Sequence, residues 1–584
     1  MNKQEADILN TLLSEPFINQ RVLSEASGHS LGVVNRSIKN LIETGMIDED
    51  IRLTPKAYKE FESKEPRNAV ILAAGFGMRM VPINTQTPKA LIEVNGEIMI
   101  ERIIRQLHEV GVRDIYIVVG FMKEQFEYLI DQYHVELIVN ADYAIKNNLH
   151  SLALASRYIE NTYIVPCDIW CEKNPFNRHE LYSWYMVSDY VDDESSVRVN
   201  RKMELVSVDN LHSGNQMIGI SYLVGEQAQI VRDRIIQYDR KRRYNNSFWE
   251  EVLLDKGKLI LQARGVQAAD VVEINTYEQL RDLDEDSEHL NDDSITTIAR
   301  VLNVNKKEIT DIEVLKKGMT NRSFLFTCQN KKYIMRIPGE GTDQLINRNE
   351  EAAVYSVIKG SGVCDEPVYI NPVTGYKITR YLQAGRACDC HNEKDLIASM
   401  RKLREFHSMN LKVNHTFDIF DKIIFYESLW NGKGSIYRDY EKTKENVFKL
   451  KECIEKTRKS WCLTHIDAVP DNFLFYEEDG EEKLQLIDWE YAGMQDPHVD
   501  VAMFCIYALY ERKQVDQLID IYFENKCEEE TRTKIYCYIA ACGLLWSNWC
   551  EYKRNLGVEF GEYSLKQYRY AKDYYKYARE RMDV

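Results

Sequence analysis

The first 64 residues carry apolar side chains at the spacing of α-helices. The pattern predicts three helices, over residues 6–13, 20–26 and 30–44. Four apolar side chains of the third helix share one face: Val33, Ile38, Leu41 and Ile42. Gly45 is expected to end this helix, and residues 46–55 are expected to form a short wing. The sequence therefore predicts a compact helical domain at residues 1–64.

Apolar runs alternate with amphipathic stretches in the next part of the chain. Strands are predicted over residues 69–72, 114–120, 135–140 and 163–166, and helices over residues 101–110 and 123–133. This alternation is typical of βαβ units, whose parallel strands form a sheet covered by helices. The acidic stretch 281–293 is poor in apolar residues and is predicted to be a solvated junction. We therefore expect an α/β domain at residues 66–288.

The last predicted domain, residues 294–584, mixes strands and helices. Residues 333–337 are predicted to form a strand, and residues 348–358 a helix. Further on, two short apolar strands are predicted over residues 473–476 and 483–487, and they flank an acidic turn at residues 477–482. Two strands joined in this way favour a β-hairpin.

Composition and charge narrow the class of protein. The chain has 584 residues, too many for one core, and its 44% hydrophobic and 29% charged residues are ordinary for soluble multidomain proteins. No apolar run approaches the ~18 residues of a membrane span, and no signal-peptide core follows Met1. The net charge of −17 argues against a general nucleic-acid binder. Thirteen cysteines without paired spacing indicate reduced thiols, so we expect a cytoplasmic protein.

A glycine-rich turn follows the first predicted strand of the α/β domain. Gly75 and Gly77 lack a Cβ atom, so their backbone N–H groups can approach an anion, and basic side chains lie nearby. A dinucleotide fingerprint would need glycine at Met80, and a P-loop would need Gly-Lys-Ser/Thr. A purely structural turn stays an alternative. We predict a nucleotide-binding site formed by Leu72, Ala74, Gly75, Gly77, Arg79 and Lys89.

The run of residues 72–82 resembles the signature of the sugar-phosphate and phosphocholine nucleotidylyltransferases. Two more stretches resemble segments of the CTP:phosphocholine cytidylyltransferase family, at residues 141–152 and 245–250. The resemblance implies a Rossmann-like α/β nucleotidyltransferase fold with a mixed sheet. It also implies that Arg79 and Lys89 are catalytic. The choline pocket requires aromatic faces, for which Trp249 is a candidate together with Trp170, Trp184 and Tyr222, and core packing stays an alternative for them.

The resemblance further implies Mg²⁺, since attack on the nucleotide α-phosphorus requires charge neutralisation. Asp168, at the end of a predicted strand, matches the first metal aspartate of the family, with a structural turn residue as the alternative. The family has Glu-Ile-Asp where this chain has Glu273, Ile274 and Asn275. Asn275 offers an amide oxygen but no negative charge. Either Glu273 takes over as the ligand, or the metal is held weakly, or nucleotidyl transfer is altered.

A second set of polar residues lies around the predicted hairpin of the last domain. Its open end brings Asn472 beside Asp488, so that an amide oxygen and a carboxylate can bind Mg²⁺ on ATP. Asp467 lies one loop away and is expected to orient or deprotonate a hydroxyl group, and Asp500 is expected to brace the loop. The other predicted nucleotide ligands are Thr320 and Asn321 in a loop, Arg336 on a strand and its partner Glu350 on a helix.

The His-x-Asp-x-x-x-x-Asn segment and the following Ile-Asp-Trp-Glu-Tyr segment resemble the choline and ethanolamine kinases and, more distantly, the aminoglycoside phosphotransferases. The resemblance implies a bilobal α+β, protein-kinase-like domain. Trp546 and Trp549 are three residues apart and share one helix face. With Tyr491 they can enclose a trimethylammonium group, although core packing stays an alternative for them.

The two resemblances together predict a bifunctional enzyme that phosphorylates choline with ATP and transfers CMP from CTP to phosphocholine. One alternative is a sugar-phosphate or phosphoethanolamine nucleotidylyltransferase fused to another small-molecule kinase. Another is a metabolite-sensing regulator, because residues 1–64 resemble a winged helix-turn-helix. Only Arg36 and Lys39 are obvious basic residues on its recognition helix, so DNA is kept as an alternative partner. No membrane partner is expected, and homo-oligomer formation is left open.

Overall fold

The computed structural model describes the chain except for residues 78–79, 84–86, 193–194, 196, 201, 208–212, 256–257, 316–320, 340–344, 384, 431, 458–460, 556–559 and 583–584. The described residues form two compact units, which are residues 1–296 with 312–314 and residues 297–311 with 315–584. Among the described helices, none is both long enough and apolar enough to cross a membrane.

Helices and a short wing form the N-terminal part of the first unit, as predicted. The helices are α1 (Lys3–Ser14), α2 (Gln20–Ser27), α3 (Leu31–Glu43) and α4 (Pro55–Lys64). A single bridge between Ile47 and Leu53 closes the wing. Val34 is fully buried in α3, whereas Val33, which the helical spacing predicts on the packed face, is only half-buried. The packed face is thus turned towards Val34, because contacts with α1 and α2 set the helix phase.

This helical domain shares a hydrophobic core with the α/β domain of the same unit. Leu181 of the α/β domain is buried among the apolar side chains of α1 to α4. The Tyr182 hydroxyl donates a hydrogen bond to Asp7 Oδ1 at 2.9 Å. The Lys64 ammonium donates to the Leu181 carbonyl at 3.0 Å, and the Tyr222 hydroxyl donates to the Lys64 carbonyl at 2.5 Å.

The α/β domain is built on a mixed sheet, in agreement with the predicted fold. Its described strands, which form a main sheet and two two-stranded sheets, are β1 (Asn68–Ala73), β2 (Glu93–Val94), β3 (Glu97–Ile98), β4 (Asp114–Val119), β5 (Glu136–Val139), β6 (Thr162–Pro166), β7 (Ile169–Cys171), β8 (Trp184–Asp192), β9 (Val197–Val199), β10 (Glu204–Ser207), β11 (Gly214–Leu223), β12 (Leu254–Asp255), β13 (Lys258–Val266) and β14 (Val271–Glu273). The main sheet has the order β5-β4-β1-β6-β11-β8-β13-β10-β9. β1 pairs in parallel with β4 and β6, whereas β11 runs antiparallel to β6.

Helices cover both faces of this sheet. They are α5 (Met99–Glu109), α6 (Tyr128–Tyr133), α7 (Asn148–Leu154), α8 (Gly225–Asp239) and α9 (Tyr277–Leu283), and α10 (Asp293–Leu302) follows them. The single helix predicted over residues 123–133 is instead a 3₁₀ turn, Lys123–Phe126, followed by α6.

The acidic stretch 281–293 is less solvated than predicted. Ser287 and Leu290 are buried, the Ser287 hydroxyl donates to the Glu93 carbonyl at 3.2 Å, and the Tyr277 hydroxyl donates to the Leu290 carbonyl at 3.2 Å. Two buried side chains suffice to fold this polar stretch onto the first unit. We keep the domain limits 1–64, 66–288 and 294–584 as a proposal.

The second unit begins with a small antiparallel sheet and one helix. The strands are β15 (Thr310–Val314), β16 (Asn321–Cys328), β17 (Lys331–Pro338), β18 (Pro367–Ile370) and β19 (Lys377–Arg380), and the helix is α11 (Arg348–Ile358). Residues 312–314 of β15 are grouped with the first unit. β16, β17, β19 and β18 pair in that order. This N-terminal lobe carries α11 beside the sheet, which gives the kinase-like arrangement that the sequence predicted.

The C-terminal lobe is mostly helical. Its elements are β20 (Arg386–Ala387), α12 (Glu393–Ser408), α13 (Ile419–Ser428), α14 (Tyr440–Thr457), β21 (Cys462–Thr464), β22 (Phe473–Glu478), β23 (Glu481–Leu486), β24 (Gly493–Gln495), α15 (His498–Tyr507), α16 (Arg512–Tyr522), α17 (Glu529–Asn555) and α18 (Glu562–Met582). β22 and β23 form the predicted hairpin, with Phe473 opposite Leu486. α17 is buried along most of its length, and a Cβ at Gly543 would lie 2.8 Å from Tyr570 Cβ of α18.

Candidate active sites

A cavity of about 520 Å³ in the second unit brings together most residues predicted for the kinase site. Its lining includes Arg336, Asp467, Asn472, Asp488, Tyr491, Trp546 and Trp549. These residues come from β17, from the loops on either side of the β22–β23 hairpin and from α17. The polar groups and the aromatic rings therefore face one space.

The loop that carries Asp467 is held by Asp500, as predicted. Asp500 accepts hydrogen bonds from the backbone N–H groups of His465 at 2.9 Å and Ile466 at 2.7 Å. Ile466 has a φ of +70°, a left-handed conformation that costs a β-branched residue about 1–3 kcal/mol. The His465 ring also hydrogen-bonds the Ile487 carbonyl at 3.0 Å, which ties the loop to the residue preceding Asp488.

Asp467 lies in a setting that suits a proton acceptor. The Asn472 side-chain amide donates to the Asp467 carbonyl at 2.8 Å and to its Oδ2 at 3.0 Å. Burial, and then the charges of Asp488 and Glu490, raise the pKa of Asp467 to about 8. A carboxylate with a raised pKa is a stronger base, which fits removal of a proton from a hydroxyl group.

The nucleotide side of the cavity corrects one prediction. Arg336 pairs with Glu351, not with Glu350: its Nη2 donates to Glu351 Oε2 at 2.9 Å, and its Nη1 contacts Oε1. Glu350 lies one position earlier on α11, part-exposed, and accepts from Asn347 at 3.0 Å. Burial raises the pKa of Glu351, but the hydrogen bond from Arg336 outweighs this and the net pKa is lowered. The phase of α11 against the sheet decides which carboxylate points inwards.

Sequence reasoning missed another basic residue of this wall, Lys377 on β19. It lines the cavity, and its ammonium donates to the Tyr355 hydroxyl at 2.7 Å. Asn321 begins β16, and Thr320 lies outside the described residues.

Aromatic rings also line this cavity. The rings of Tyr491 and Trp546 meet edge to face at 6.0 Å, and those of Trp546 and Trp549 at 5.4 Å. Tyr507 and Tyr563 also line the cavity, and no spacing in the sequence points to either of them. Faces of aromatic rings attract quaternary ammonium groups. The same cavity thus contains polar groups and aromatic rings of the kind that can bind a quaternary ammonium group.

In the first unit, the glycine turn and the predicted metal ligands meet at Lys89. Its ammonium donates to Asp168 Oδ2 and to Asn275 Oδ1, both at 2.6 Å. Gly77 has a φ of +63°, and a Cβ there would lie 3.3 Å from Lys89 Cβ. Glycine therefore allows the turn to lie against this lysine. Leu72 is in β1 and Ala74 and Gly75 follow it, while Arg79 lies outside the described residues.

Pairing of β7 with β14 brings the two halves of this site together. Ile169 is opposite Glu273, and the Ile274 N–H donates to the Asp168 carbonyl at 2.9 Å. The oxygens of Asp168 and Asn275 converge on one cationic nitrogen, so this donor set fits a hard cation. In the described part of the chain, no three His, Cys, Asp or Glu side chains form a ready metal cluster.

A carboxyl group that sequence reasoning missed, Glu250, lies near these residues. It accepts from the Tyr185 hydroxyl at 3.1 Å, and within the described residues its buried Oε2 has no hydrogen-bond partner. Burial, followed by the charges of Glu273 and Asp168, raises the pKa of Glu250 to about 7. The available signal was its position directly after Trp249 in the 245–250 segment.

Trp249 itself lies in the core, which corrects its assignment to the choline pocket. It is 1% exposed, and its ring packs 5.9 Å from that of Tyr185. The 3₁₀ turn Trp249–Leu253 directs this ring inwards, so it packs against other apolar side chains.

Replacing Glu250 by glutamine is expected to raise the thermal stability of the metal-free protein by a few degrees at about pH 8 but not at about pH 5. The pKa of Glu250 in the folded protein lies above that of an unfolded chain. Its contribution to stability is therefore present at low pH and lost as the pH rises through about 7. Melting curves in EDTA at both pH values measure this. Glu251→Gln, at an exposed neighbour, is the control, and an equal shift in both variants would contradict the argument.

Sequence models of three known families match the chain. A MobA-like NTP transferase domain matches residues 69–178, a choline/ethanolamine kinase matches residues 312–541, and a winged helix-turn-helix DNA-binding domain matches residues 1–48.

Individual relatives each match part of the chain. The choline-phosphate cytidylyltransferase of Streptococcus pneumoniae is 32% identical over 37% of this chain and 96% of its own length. Protein LicA of Haemophilus influenzae is 27% identical over 43% of this chain and 96% of its own length. The crystal structure of choline kinase LicA from Streptococcus pneumoniae aligns at 28% identity and a TM-score of 0.42, covering 48% of this chain and 97% of that one. The chain thus belongs to the choline-phosphate cytidylyltransferase family, and it carries in addition a choline/ethanolamine kinase domain and an N-terminal winged helix-turn-helix.

Proposed function

We propose that this protein makes CDP-choline in two consecutive steps. The second unit phosphorylates choline with ATP, and the first unit transfers CMP from CTP to the resulting phosphocholine and releases pyrophosphate. The single observation that carries the proposal is the cavity in which Asp467, Asn472 and Asp488 face the rings of Tyr491 and Trp546. Both steps use cytoplasmic nucleotides, so we place the protein in the cytoplasm.

In the kinase step, each group of the cavity has a distinct role. The rings of Tyr491, Trp546 and Trp549 hold the trimethylammonium group of choline, and this directs the choline hydroxyl towards Asp467. Asp467 accepts the hydroxyl proton as the oxygen attacks the γ-phosphorus, the bond from this phosphorus to the β–γ bridging oxygen breaks, and ADP leaves. Asn472 and Asp488 would hold Mg²⁺, which neutralises charge on the ATP phosphates. Arg336, fixed by Glu351, binds the phosphates from the other side.

In the transferase step, the glycine turn and Lys89 bind the CTP phosphates. The N–H groups around Gly75 and Gly77 face the triphosphate, and Lys89 stabilises charge that develops on the α-phosphate. Asp168, Glu273 and Asn275 would hold Mg²⁺, which neutralises charge on the two reacting phosphates. Phosphocholine then attacks in line, and pyrophosphate leaves.

An assay of the full chain with choline, ATP, CTP and Mg²⁺ tests the proposal. We expect phosphocholine when CTP is omitted and CDP-choline when both nucleotides are present. Ethanolamine and sugar phosphates, supplied in parallel, separate the proposal from the alternative nucleotidylyltransferase and kinase pairings. If neither phosphocholine nor CDP-choline forms, the proposal is wrong.

Replacing Asn275 by aspartate is expected to lower the Mg²⁺ concentration that gives half-maximal CDP-choline formation by about tenfold. The amide oxygen of Asn275 already shares a cation with Asp168, and aspartate adds the missing negative charge. A magnesium titration of the rate measures the change, with Asn275→Ala as the matched loss of the oxygen. A slower aspartate variant at every magnesium concentration would show that Asn275 serves a different purpose.

DNA binding by the N-terminal domain is expected to be no tighter than non-specific binding, with a Kd of about 10⁻⁴ M at physiological salt. On α3, Arg36 and Lys39 are exposed, but Lys39 lies 3.9 Å from Glu43, and the wing carries exposed Asp48, Glu49 and Asp50. These carboxylates repel a phosphate backbone. Fluorescence anisotropy with duplex DNA from upstream of the gene measures the affinity. A nanomolar Kd would favour the regulator instead.

A further inference from the structure

A buried histidine, His407, contacts the aspartate that holds the loop of Asp467, and the roles assigned above leave it without a function. It lies near the end of α12 and is 8% exposed. Its Nε2 lies 2.9 Å from Asp500 Oδ2, and its Nδ1 lies 2.8 Å from the Tyr522 hydroxyl. Asp500 and Tyr522 are buried as well. The three side chains therefore form a buried chain of hydrogen bonds.

This chain of hydrogen bonds ends on the backbone of the loop that carries Asp467. Asp500 Oδ2 accepts from the His465 N–H at 2.9 Å, and its Oδ1 accepts from the Ile466 N–H at 2.7 Å. The carboxylate thus contacts three nitrogens, two of which belong to the loop. A buried carboxylate is stable only when its oxygens are hydrogen-bonded, so His407 stabilises the group on which the loop depends.

The loop needs this support because its backbone is strained at Ile466. The φ of +70° at this β-branched residue persists only while the surrounding hydrogen bonds hold it. If Asp500 were displaced, Ile466 would relax to a common conformation and would turn Asp467, the next residue, within the cavity. A misplacement of about 1 Å at the reacting atoms can lower a rate about 10²-fold.

Tyr522 fixes the orientation of the His407 ring. Where the Tyr522 hydroxyl donates to Nδ1, the proton of the neutral ring lies on Nε2, and Asp500 accepts it. Tyr522 is the last residue of α16, whereas His407 belongs to α12 and Asp500 to α15. Side chains from three helices therefore act together on one carboxylate.

We propose that His407 is a positioning residue of the kinase reaction, which acts through Asp500 to keep Asp467 directed at the hydroxyl group of the substrate. Asp500 does this by holding the left-handed turn at Ile466. Tyr522 assists by fixing the His407 ring. The inference rests on the proposed kinase function.

The inference predicts a change in kcat rather than in the KM values. The groups proposed to bind ATP and the choline ammonium include Arg336 on β17 and Trp546 on α17, which are outside the loop of Asp467. A misplaced Asp467 would remove an interaction that is made only in the transition state, and both substrates would still bind.

The first experiment compares two substitutions of His407 in the full chain that differ in one hydrogen bond. The amide nitrogen of glutamine reaches the position of Nε2 and can donate to Asp500, whereas the shorter asparagine reaches only the position of Nδ1. We expect His407→Asn to lower the kcat of choline phosphorylation about 10²-fold and His407→Gln to keep it within about fivefold of the natural chain. The KM values for ATP and choline should stay within about twofold in both variants.

The second experiment tests the outer end of the chain of hydrogen bonds. Tyr522→Phe removes the hydroxyl group beside Nδ1, and we expect it to lower kcat about threefold or more, as loss of one hydrogen bond predicts. The matched control is Tyr570→Phe, because the buried Tyr570 hydroxyl donates instead to the Tyr510 carbonyl, at 2.7 Å. This control should keep the natural kcat. Calorimetry should give the natural affinity for ATP and Mg²⁺ in every variant.

The outcomes separate this inference from the proposed function. A natural kcat in His407→Asn overturns the inference even if choline is phosphorylated. Equal losses in His407→Asn and His407→Gln, or a loss that appears in the affinity for ATP, also overturn it, because they show that the histidine only stabilises the fold. A natural kcat in Tyr522→Phe overturns the role of Tyr522.

The choice of substrate is tested by the natural chain itself. If this chain phosphorylates ethanolamine but not choline, the same variants are compared with ethanolamine. The expected loss of kcat then supports the inference and overturns only the choice of substrate. A natural chain that phosphorylates neither alcohol overturns the proposed kinase function and this inference together.

Discussion

Replacing Asp467 by asparagine is expected to reduce choline phosphorylation about 10³-fold and to leave ATP binding nearly unchanged. Asp467 is half-buried beside Asp488 and Glu490, and its raised pKa fits a group that takes up a proton during the reaction. Asparagine keeps the shape and the contact with Asn472 but cannot accept that proton. ADP release measures the rate, and calorimetry with ATP and Mg²⁺ measures binding.

The matched control for this variant is Asp471→Asn in the same loop. Asp471 is an exposed carboxylate that accepts from the Tyr507 hydroxyl at 2.8 Å, so it should be needed far less. Both variants should still convert added phosphocholine and CTP to CDP-choline at the rate of the natural chain. If Asp467→Asn keeps more than about a tenth of the kinase rate, Asp467 is not the base.

Replacing Asp168 by asparagine is expected to reduce CDP-choline formation by about 10²-fold or more. Asn275 is already neutral, so this change removes a carboxylate from a site that has few, and it leaves Lys89 facing two amides. The loss should be partly recovered at high Mg²⁺ concentrations if Asp168 binds the metal. The rate of pyrophosphate release from CTP and phosphocholine, titrated with Mg²⁺, measures both effects.

Glu172→Gln is the matched control, because Glu172 is an exposed carboxylate four positions after Asp168. In both proteins the kinase reaction should proceed normally, because the kinase residues lie in the second unit. A variant of Asp168 that makes CDP-choline at the natural rate at low Mg²⁺ would remove this residue from the site.

The kinase site was readable from the sequence because its parts are local. Asn472 and Asp488 flank one hairpin, so the pairing of Phe473 with Leu486 alone brings them together. The sequence could not predict which of two neighbouring carboxylates of α11 pairs with Arg336. Glu350 and Glu351 are both acidic, and only the packing of α11 against β17 selects Glu351. For the same reason, the sequence predicted Val33 on the packed face of α3, where the structure has Val34.

The transferase site depended on contacts between distant parts of the chain. Asp168 and Asn275 meet because β7 pairs with β14, and neither three-residue strand has a recognisable pattern. The sequence also did not show which of two neighbouring side chains is buried in the core. Trp249 packs in the core, whereas the carboxyl group of Glu250 lies near Asp168 and Glu273. An aromatic residue in a motif is as often a core residue as a ligand, and periodicity cannot distinguish the two.

The burial of Leu181 among the N-terminal helices limits how the chain can be divided. A fragment that starts at β1 would expose this leucine and the apolar surface around it to water, and would leave Tyr182 without its bond to Asp7. Such a fragment would expose an apolar patch and would tend to aggregate. A recombinant cytidylyltransferase from this protein should therefore start at Met1, whatever the boundary between the domains suggests.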